Sequence, residues 1–358
     1  MRVTRRATVG GLTALALAGC ERRGSAEAET TGVPPLKAVA SFPVGMAAMT
    51  AEFADPQWVA LATRNFSQIT PAWEMKMERI LAEDGSLKFD AADAIAAFCR
   101  RNRLGLHAHT LVWYQQDPPW FERLKNDPRV FRNALGAYAR AVMGRYRGLA
   151  RGWDVVNEAV AEDGNGYRGG VWAEGLGPDF ARVAFEIARE ADPDAVLFLN
   201  DYNLEILPAK LDAFQRLLEN LLEAGAPVTG VGTQSHLDIG LAPGEAGRAV
   251  RALSRFGLPI HVSELDISTN RGASALFGPM ERLEVQARVA SEIAEAFMGL
   301  PPSQRYAFTL WGVEDKDSWL RHQPGGVGDA PLLFDDEGQP KPACRAVADA
   351  FAGRARGG

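Results

Sequence analysis

Short apolar runs alternate with amphipathic helical stretches along almost the whole chain, and this alternation narrows the folds open to it. Runs of strand character recur at 41–47, 66–70, 104–113, 152–158, 195–202, 231–237, 260–265 and 306–312. Between them, stretches such as 131–147, 180–190, 211–224 and 283–297 carry apolar residues three and four apart with charges between. That is the pattern of helices covering a sheet with one face. Strand followed by helix, repeated, implies parallel strands joined by crossovers. Eight such units in about 320 residues predict an α/β fold of the (β/α)8 type, a single-domain TIM barrel, rather than an open doubly wound sheet. No G-x-G-x-x-G follows the first strand, so the main signature of a dinucleotide fold is missing.

In such a barrel the chemistry gathers where strands end, at the C-terminal face. Here the runs finish in Lys76, His109 and Trp113, Asn157-Glu158, Asn200-Asp201, Gln234 and His236, Glu264 and Asp266, and Trp311. Charges inside a closed barrel carry a heavy desolvation cost, so several of these must face a shared cavity. Glu158 closes W-D-V-V-N-E-A and Glu264 closes I-H-V-S-E-L-D. Two carboxylates on opposite sides of one barrel mouth suit a retaining glycosidase, one as acid and the other as attacking carboxylate. Asn157 is positioned to bond a sugar hydroxyl beside the acid. His236 would hold the nucleophile ionised, and Asp266 would fix the tautomer of His236. Spacing alone leaves metal sites and proton abstraction open, because Asp and Glu on strand ends serve those as well.

The 358 residues carry a net charge of −6, with 45 acidic against 39 basic side chains. That balance argues against nucleic acid as a partner. The three cysteines, Cys20, Cys99 and Cys344, make no disulfide framework and match no zinc spacing. No cofactor and no metal are expected, since the first strand lacks an H-x-H arrangement. Eight Trp against six Tyr is Trp-rich. Trp73, Trp113, Trp153, Trp311 and Trp319 fall in the motifs expected around the mouth, whereas Trp58, Trp120 and Trp172 read as packing residues. His107, His261 and Tyr202 read as structural, and Cys99 and Cys344 as buried free thiols in helices.

The first residues read as an address. Arg2, Arg5 and Arg6 precede a short apolar stretch too brief to span a bilayer. Leu17-Ala18-Gly19-Cys20 resembles a lipobox, which makes Cys20 the expected lipidation site, and Arg5-Arg6 resembles a twin-arginine signal. The expected organisation is therefore an export signal over 1–20, a flexible tether over 21–35 ending in two prolines, and the catalytic barrel over 36–358. Such a protein is expected to be exported, periplasmic or at the cell surface, touching membrane only through the lipid. Soluble secretion after ordinary cleavage is the alternative.

The chain resembles glycoside hydrolase family 10, the retaining β-1,4-xylanases, on an ordered set of motifs. They are T-P-x-x-E-M-K (70–76), H-T-L-V-W (109–113), W-D-V-V-N-E-A (153–159), N-D-Y-N (200–203) and G-x-Q-S-H-L (232–237), followed by E-L-D (264–266), W-G-V-x-D-K-x-S-W (311–319) and L-L-F-D (332–335). The resemblance implies action on xylan or xylooligosaccharides, with Glu158 as acid/base and Glu264 as nucleophile; the protein is expected to be a monomer. It implies that Asn157 contacts the 2-hydroxyl at subsite −1, and that Lys76, His109 and Gln116 bind the glycone side. Trp113 and Trp311 would wall subsite −1 and Trp319 cap the glycone subsites. Gln234, Asn200, His236 and Asp266 would orient the two carboxylates.

The departures cluster at one place. The family usually reads T-P-E-N-x-M-K-W, its Glu and Asn binding the −2 sugar, whereas this chain has Ala72 and Trp73 at those two positions and Met77 where the Trp is usual. Tyr114 and Ser263 replace a His and a Thr, which are milder changes. The expectation is a retained reaction with an altered −2 subsite at Trp73. A related β-1,4-glucanase or aryl-β-glycosidase shares the paired carboxylates and is the alternative enzyme. A non-catalytic oligosaccharide-binding lipoprotein predicts the loss of an essential carboxylate, and both are present.

Overall fold

The computed structural model describes residues 32–116 and 118–354. Nine strands run through them: β1 (Val44–Ala48), β2 (Gln68–Pro71), β3 (Gly105–Trp113), β4 (Ala150–Asn157), β5 (Val196–Asp201), β6 (Gly230–Thr233), β7 (His236–Asp238), β8 (Ile260–Ser268) and β9 (Arg305–Leu310). Every pairing is parallel. β1 bonds to β2 on one side and β9 on the other, while β6 bonds to β5 and β8, so the sheet closes on itself. β7 pairs with β8 alone, further along the same strand than β6 does. β6 and β7 together are therefore one interrupted stave of a (β/α)8 barrel.

That interruption corrects the expectation of a continuous strand over 231–237. Ser235 sits at φ 59°, a left-handed conformation incompatible with a strand. The Ser235 hydroxyl donates to Glu205 Oε1 at 2.8 Å and the Thr233 hydroxyl donates to the same oxygen at 2.6 Å, which ties both sides of the kink to one buried acceptor. β1 also starts later than the apolar run, because Pro43 has no N–H to give to a ladder; its carbonyl accepts from Phe308 N at 3.1 Å.

Helices begin earlier than their apolar periodicity implies. Pro128–Tyr146, Pro208–Glu223 and Pro279–Met298 each start on a proline in the first turn, where its missing N–H has no intrahelical partner to lose. Asp127 caps the first of these, accepting from Arg129 N and Val130 N, both at 3.1 Å. Cys99 and Cys344 are buried free thiols on the helices Asp90–Asn102 and Pro342–Phe351, as expected.

Strands covered on both sides bury nearly everything: all nine residues of β8 are buried, as are all five of β1. Below the mouth, the barrel is filled by the rings of His107, Phe198, His261 and Tyr306, with centroids 4.4 to 5.8 Å apart. Two glycines make room for their neighbours. A Cβ on Gly152 would stand 2.5 Å from the Tyr306 hydroxyl, and one on Gly232 would stand 2.2 Å from Asn200 Oδ1. Trp153 lies between the inward-facing Gly152 and Asp154, so the alternation of β4 turns it toward the helices. It is a core residue rather than a mouth residue. Trp58 and Trp172 are likewise buried.

Candidate active site

Strand ends deliver the site side by side. β4 stops at Asn157, and Glu158 follows at φ 57°, a conformation rarely held by a residue with a side chain unless surrounding bonds impose it. The imposing bond is Glu158 N to Asn200 O at 2.8 Å. Glu158 Oε1 accepts from Gln234 Nε2 at 3.0 Å and from Asn157 Nδ2 at 3.3 Å. The break between β6 and β7 is what brings Gln234 to the carboxylate.

Glu264 stands mid-way along β8. Its Oε1 accepts from Asn200 Nδ2 at 3.0 Å, and that same amide donates to Asn157 Oδ1 at 2.9 Å. Ser263 Oγ donates to Asn200 Oδ1 at 2.8 Å and fixes which way the amide points. One asparagine thus couples both carboxylate loops. On the other side, His236 Nε2 lies 3.5 Å from Glu264 Oε2, and His236 Nδ1 lies 3.0 Å from Asp266 Oδ2. Burial disfavours the imidazolium, but Asp266 and then Glu264 outweigh it and push His236 up to about 10 from 6.5. The group facing Glu264 is therefore a cation at neutral pH. Trp319 Nε1 donates to Asp266 Oδ2 at 2.8 Å, so the aspartate also anchors the indole.

A cavity of ≈ 330 Å³ is lined by Lys76, His109, Trp113, Gln115, Glu158, Tyr202, Gln234, His236, Glu264, Trp311 and Trp319. Trp311 stands edge-on to His109 at 5.5 Å and to His236 at 6.2 Å. Trp172 Nε1 braces Trp113 by donating to its carbonyl at 3.0 Å. Lys76 Nζ lies over Trp113 at 4.6 Å and over Trp73 at 5.0 Å. Burial lowers its pKa, and Glu264 and Glu158 work against that.

Two expected side chains stand elsewhere. Gln116 is buried behind the wall, its Oε1 accepting from Met77 N at 3.1 Å; Gln115 lines the cavity instead. Trp73 is 38 % exposed on the loop after β2, flanking Lys76 rather than lining the cavity. Cys20 lies outside the described residues. Tyr202, read as structural, lines the cavity, and its hydroxyl accepts from Arg168 Nη1 at 2.9 Å, with Tyr114 on the same nitrogen at 3.1 Å. Lys210 Nζ sits 3.3 Å from the Tyr202 ring centroid and 3.0 Å from Asp201 Oδ1. Arg168 escaped sequence reasoning because a lone arginine closing a glycine-rich loop carries no periodic signal.

Residues 36–350 match glycosyl hydrolase family 10. The chain is 38 % identical over 315 residues to endo-1,4-beta-xylanase A of Caldicellulosiruptor sp. (strain Rt8B.4), a match covering 84 % of this chain and 45 % of that protein. It therefore spans less than half of that relative. Endo-1,4-beta-xylanase B of Thermotoga neapolitana is 34 % identical over 81 % of this chain and 82 % of its own length. Among solved structures, a GH10 endoxylanase retrieved from sugarcane soil metagenome superposes with a TM-score of 0.80 at 31 % identity, over 88 % of this chain and 99 % of that one. On the barrel, the motif order and these matches, the chain belongs to glycosyl hydrolase family 10.

Proposed function

We propose that the protein hydrolyses β-1,4-xylosidic bonds in xylan or xylooligosaccharides by double displacement, with Glu158 as acid/base and Glu264 as nucleophile. The observation that carries this is the asymmetry around the two carboxylates. Glu264 faces the His236 cation and an asparagine amide, which compensate negative charge on an attacking carboxylate. Glu158 receives only neutral amide donors, on one oxygen. Its other oxygen is then available to protonate the leaving glycosidic oxygen and later to take a proton from water. Trp113 and Trp311 offer indole faces to the sugar C–H groups, and Lys76 and His109 offer donors to its hydroxyls.

Trp73 is the basis for reading the −2 subsite as altered. An indole with Ala72 beside it supplies one N–H donor in place of a carboxylate and an amide. The neighbouring Glu74 is buried and turned to Thr50, its Oε1 accepting from Thr50 N at 2.6 Å and from Thr50 Oγ1 at 2.9 Å. Turnover of long unsubstituted xylan is expected to fall relative to short oligomers and aryl xylosides. The test is one release assay on xylan, xylooligomers, glucan and aryl glycosides, with Glu264→Ala as blank. Full activity in that blank refutes the two-carboxylate mechanism. A strong −2 xylose preference that disappears in Trp73→Ala refutes blockage. Export and anchoring through Cys20 are part of the same proposal, tested by radiolabelled-palmitate incorporation into the full chain against Cys20→Ala.

A further inference from the structure

Beneath the cleft, the barrel interior holds two histidines that the reaction does not use. One nitrogen each of His107 and His261 and one carboxylate oxygen of Asp154 lie within 4.8 Å of one another, and all three residues are essentially inaccessible. Each residue has one polar atom committed and one left over. His107 Nδ1 is 3.2 Å from the Tyr306 hydroxyl, His261 Nε2 is 2.7 Å from Thr309 Oγ1, and Asp154 Oδ2 is 2.8 Å from His109 Nδ1. The atoms left over, His107 Nε2, His261 Nδ1 and Asp154 Oδ1, have no hydrogen-bond partner. His107 Nε2 stands 3.1 Å from Asp154 Oδ1, yet the two lack hydrogen-bond geometry. His107 Nε2 and Asp154 Oδ1 thus stand at ion-pair distance, and His261 Nδ1 is the atom of the three left buried with no partner.

We propose that His107, Asp154 and His261 form a buried site for a divalent transition-metal ion of the Zn2+ type. Two neutral imidazoles and one carboxylate make the nitrogen–oxygen donor set that zinc accepts, with a solvent oxygen completing a tetrahedron. Ligand atoms on such an ion stand about 3.3 Å apart, so separations that lie within 4.8 Å close by at most about 1.5 Å on binding. The remaining atom of each ligand is already held by Tyr306, Thr309 or His109, the outer-shell arrangement that orients metal ligands. The ligands come from β3, β4 and β8, so the site exists only once the barrel has closed, and the ion enters during folding. Asp154 reaches toward the metal with one oxygen and holds His109 with the other. The ion therefore also braces a residue lining the cleft.

The test is metal uptake on refolding. The full chain is unfolded in guanidinium with a chelator, refolded with or without Zn2+, desalted and assayed for metal. The expected result is about one zinc per chain in the zinc arm, and a Tm about 5 °C or more above that of the metal-free arm. Refolding with Co2+ is expected to give the visible bands of a tetrahedral nitrogen–oxygen site. His107→Gln and His261→Gln lose the metal, whereas Glu264→Ala, which leaves all three ligands in place, retains it. No retained zinc together with equal Tm in both arms overturns the proposal. Zinc that survives both glutamine substitutions overturns it as well. If those variants fail to fold, the two wild-type arms still decide.

Discussion

Replacing Asp266 by Asn isolates the charge behind Glu264 with little change in shape. In the wild type His236 is displaced from 6.5 to about 10, with Asp266 as the leading source of the upward push against burial. That displacement corresponds to about 5 kcal/mol of preference for the charged imidazole in the folded protein. Because the folded pKa is raised, this stabilisation is fully present below pH 6.5 and disappears as pH climbs through about 10. Asp266→Asn keeps an oxygen for His236 Nδ1 and Trp319 Nε1 but removes the carboxylate charge. The larger share, about 3 kcal/mol, should go with it.

Two measurements follow from that. Denaturant unfolding of wild type and Asp266→Asn at a series of pH values should give a gap of about 3 kcal/mol at pH 6 that narrows toward pH 10. The pH profile of kcat/KM on an aryl xyloside should lose its alkaline side in the variant at about pH 8, because His236 then deprotonates and Glu264 loses its facing cation. A gap that stays constant from pH 6 to 10, with superimposable activity profiles, refutes the assignment of a cation to His236.

Other perturbations test how the carboxylates are held. Gly232→Ala places a Cβ 2.2 Å from Asn200 Oδ1, displacing the amide that bonds both Glu264 and Asn157; kcat should fall about 100-fold, read by steady-state kinetics with circular dichroism as a folding control. Gln234→Ala removes the 3.0 Å donor from Glu158 Oε1, and kcat on substrates with poor leaving groups should fall about tenfold to 100-fold, while those with good leaving groups change less. Phe198→Ala empties the ring cluster beneath the cleft and should cost about 3–5 kcal/mol in urea unfolding. Its activity at low temperature should survive if the cavity's walls are held independently.

The barrel was legible because its strands are buried on both faces and so carry short apolar runs, as in V-L-F-L of β5 and L-V-W closing β3. Their ends were legible for the opposite reason: Glu158, Gln234, His236 and Glu264 are polar residues where burial should forbid them. Less visible were features set by single backbone angles or by distant partners. Nothing in G-T-Q-S-H-L announces that Ser235 turns left-handed, since the cause is Glu205 on another loop. Gln115 and Gln116 are adjacent identical residues, and only the turn after β3 decides which faces the cavity. Arg168 reaches Tyr114 and Tyr202 across three loops, and no local pattern records such a meeting.

The packing explains why so many polar groups tolerate burial here. Those at the mouth contact one another, so the chain of contacts runs around it from Gln234 through Glu158 and Asn157 to Asn200 and Glu264, then through His236 to Asp266 and Trp319. A second chain runs down the inside, from His109 at the cleft through Asp154 to His107 and Tyr306. Burial alone would raise the Asp154 carboxyl, but His107 and His109 hold it well below the usual carboxylate range, so it stays charged in the barrel's centre. A charge kept there fixes His109 by its Nδ1 and leaves Nε2 as the nitrogen available to the cleft. The geometry of the cleft around His109 therefore depends on residues a full layer below it, and substitutions at His107 should alter catalysis without lining the cavity. Expected is a fall in kcat for Asp154→Asn that His107→Phe does not deepen, because His107 reaches His109 only through Asp154; additive losses in the double variant would show that the two act separately.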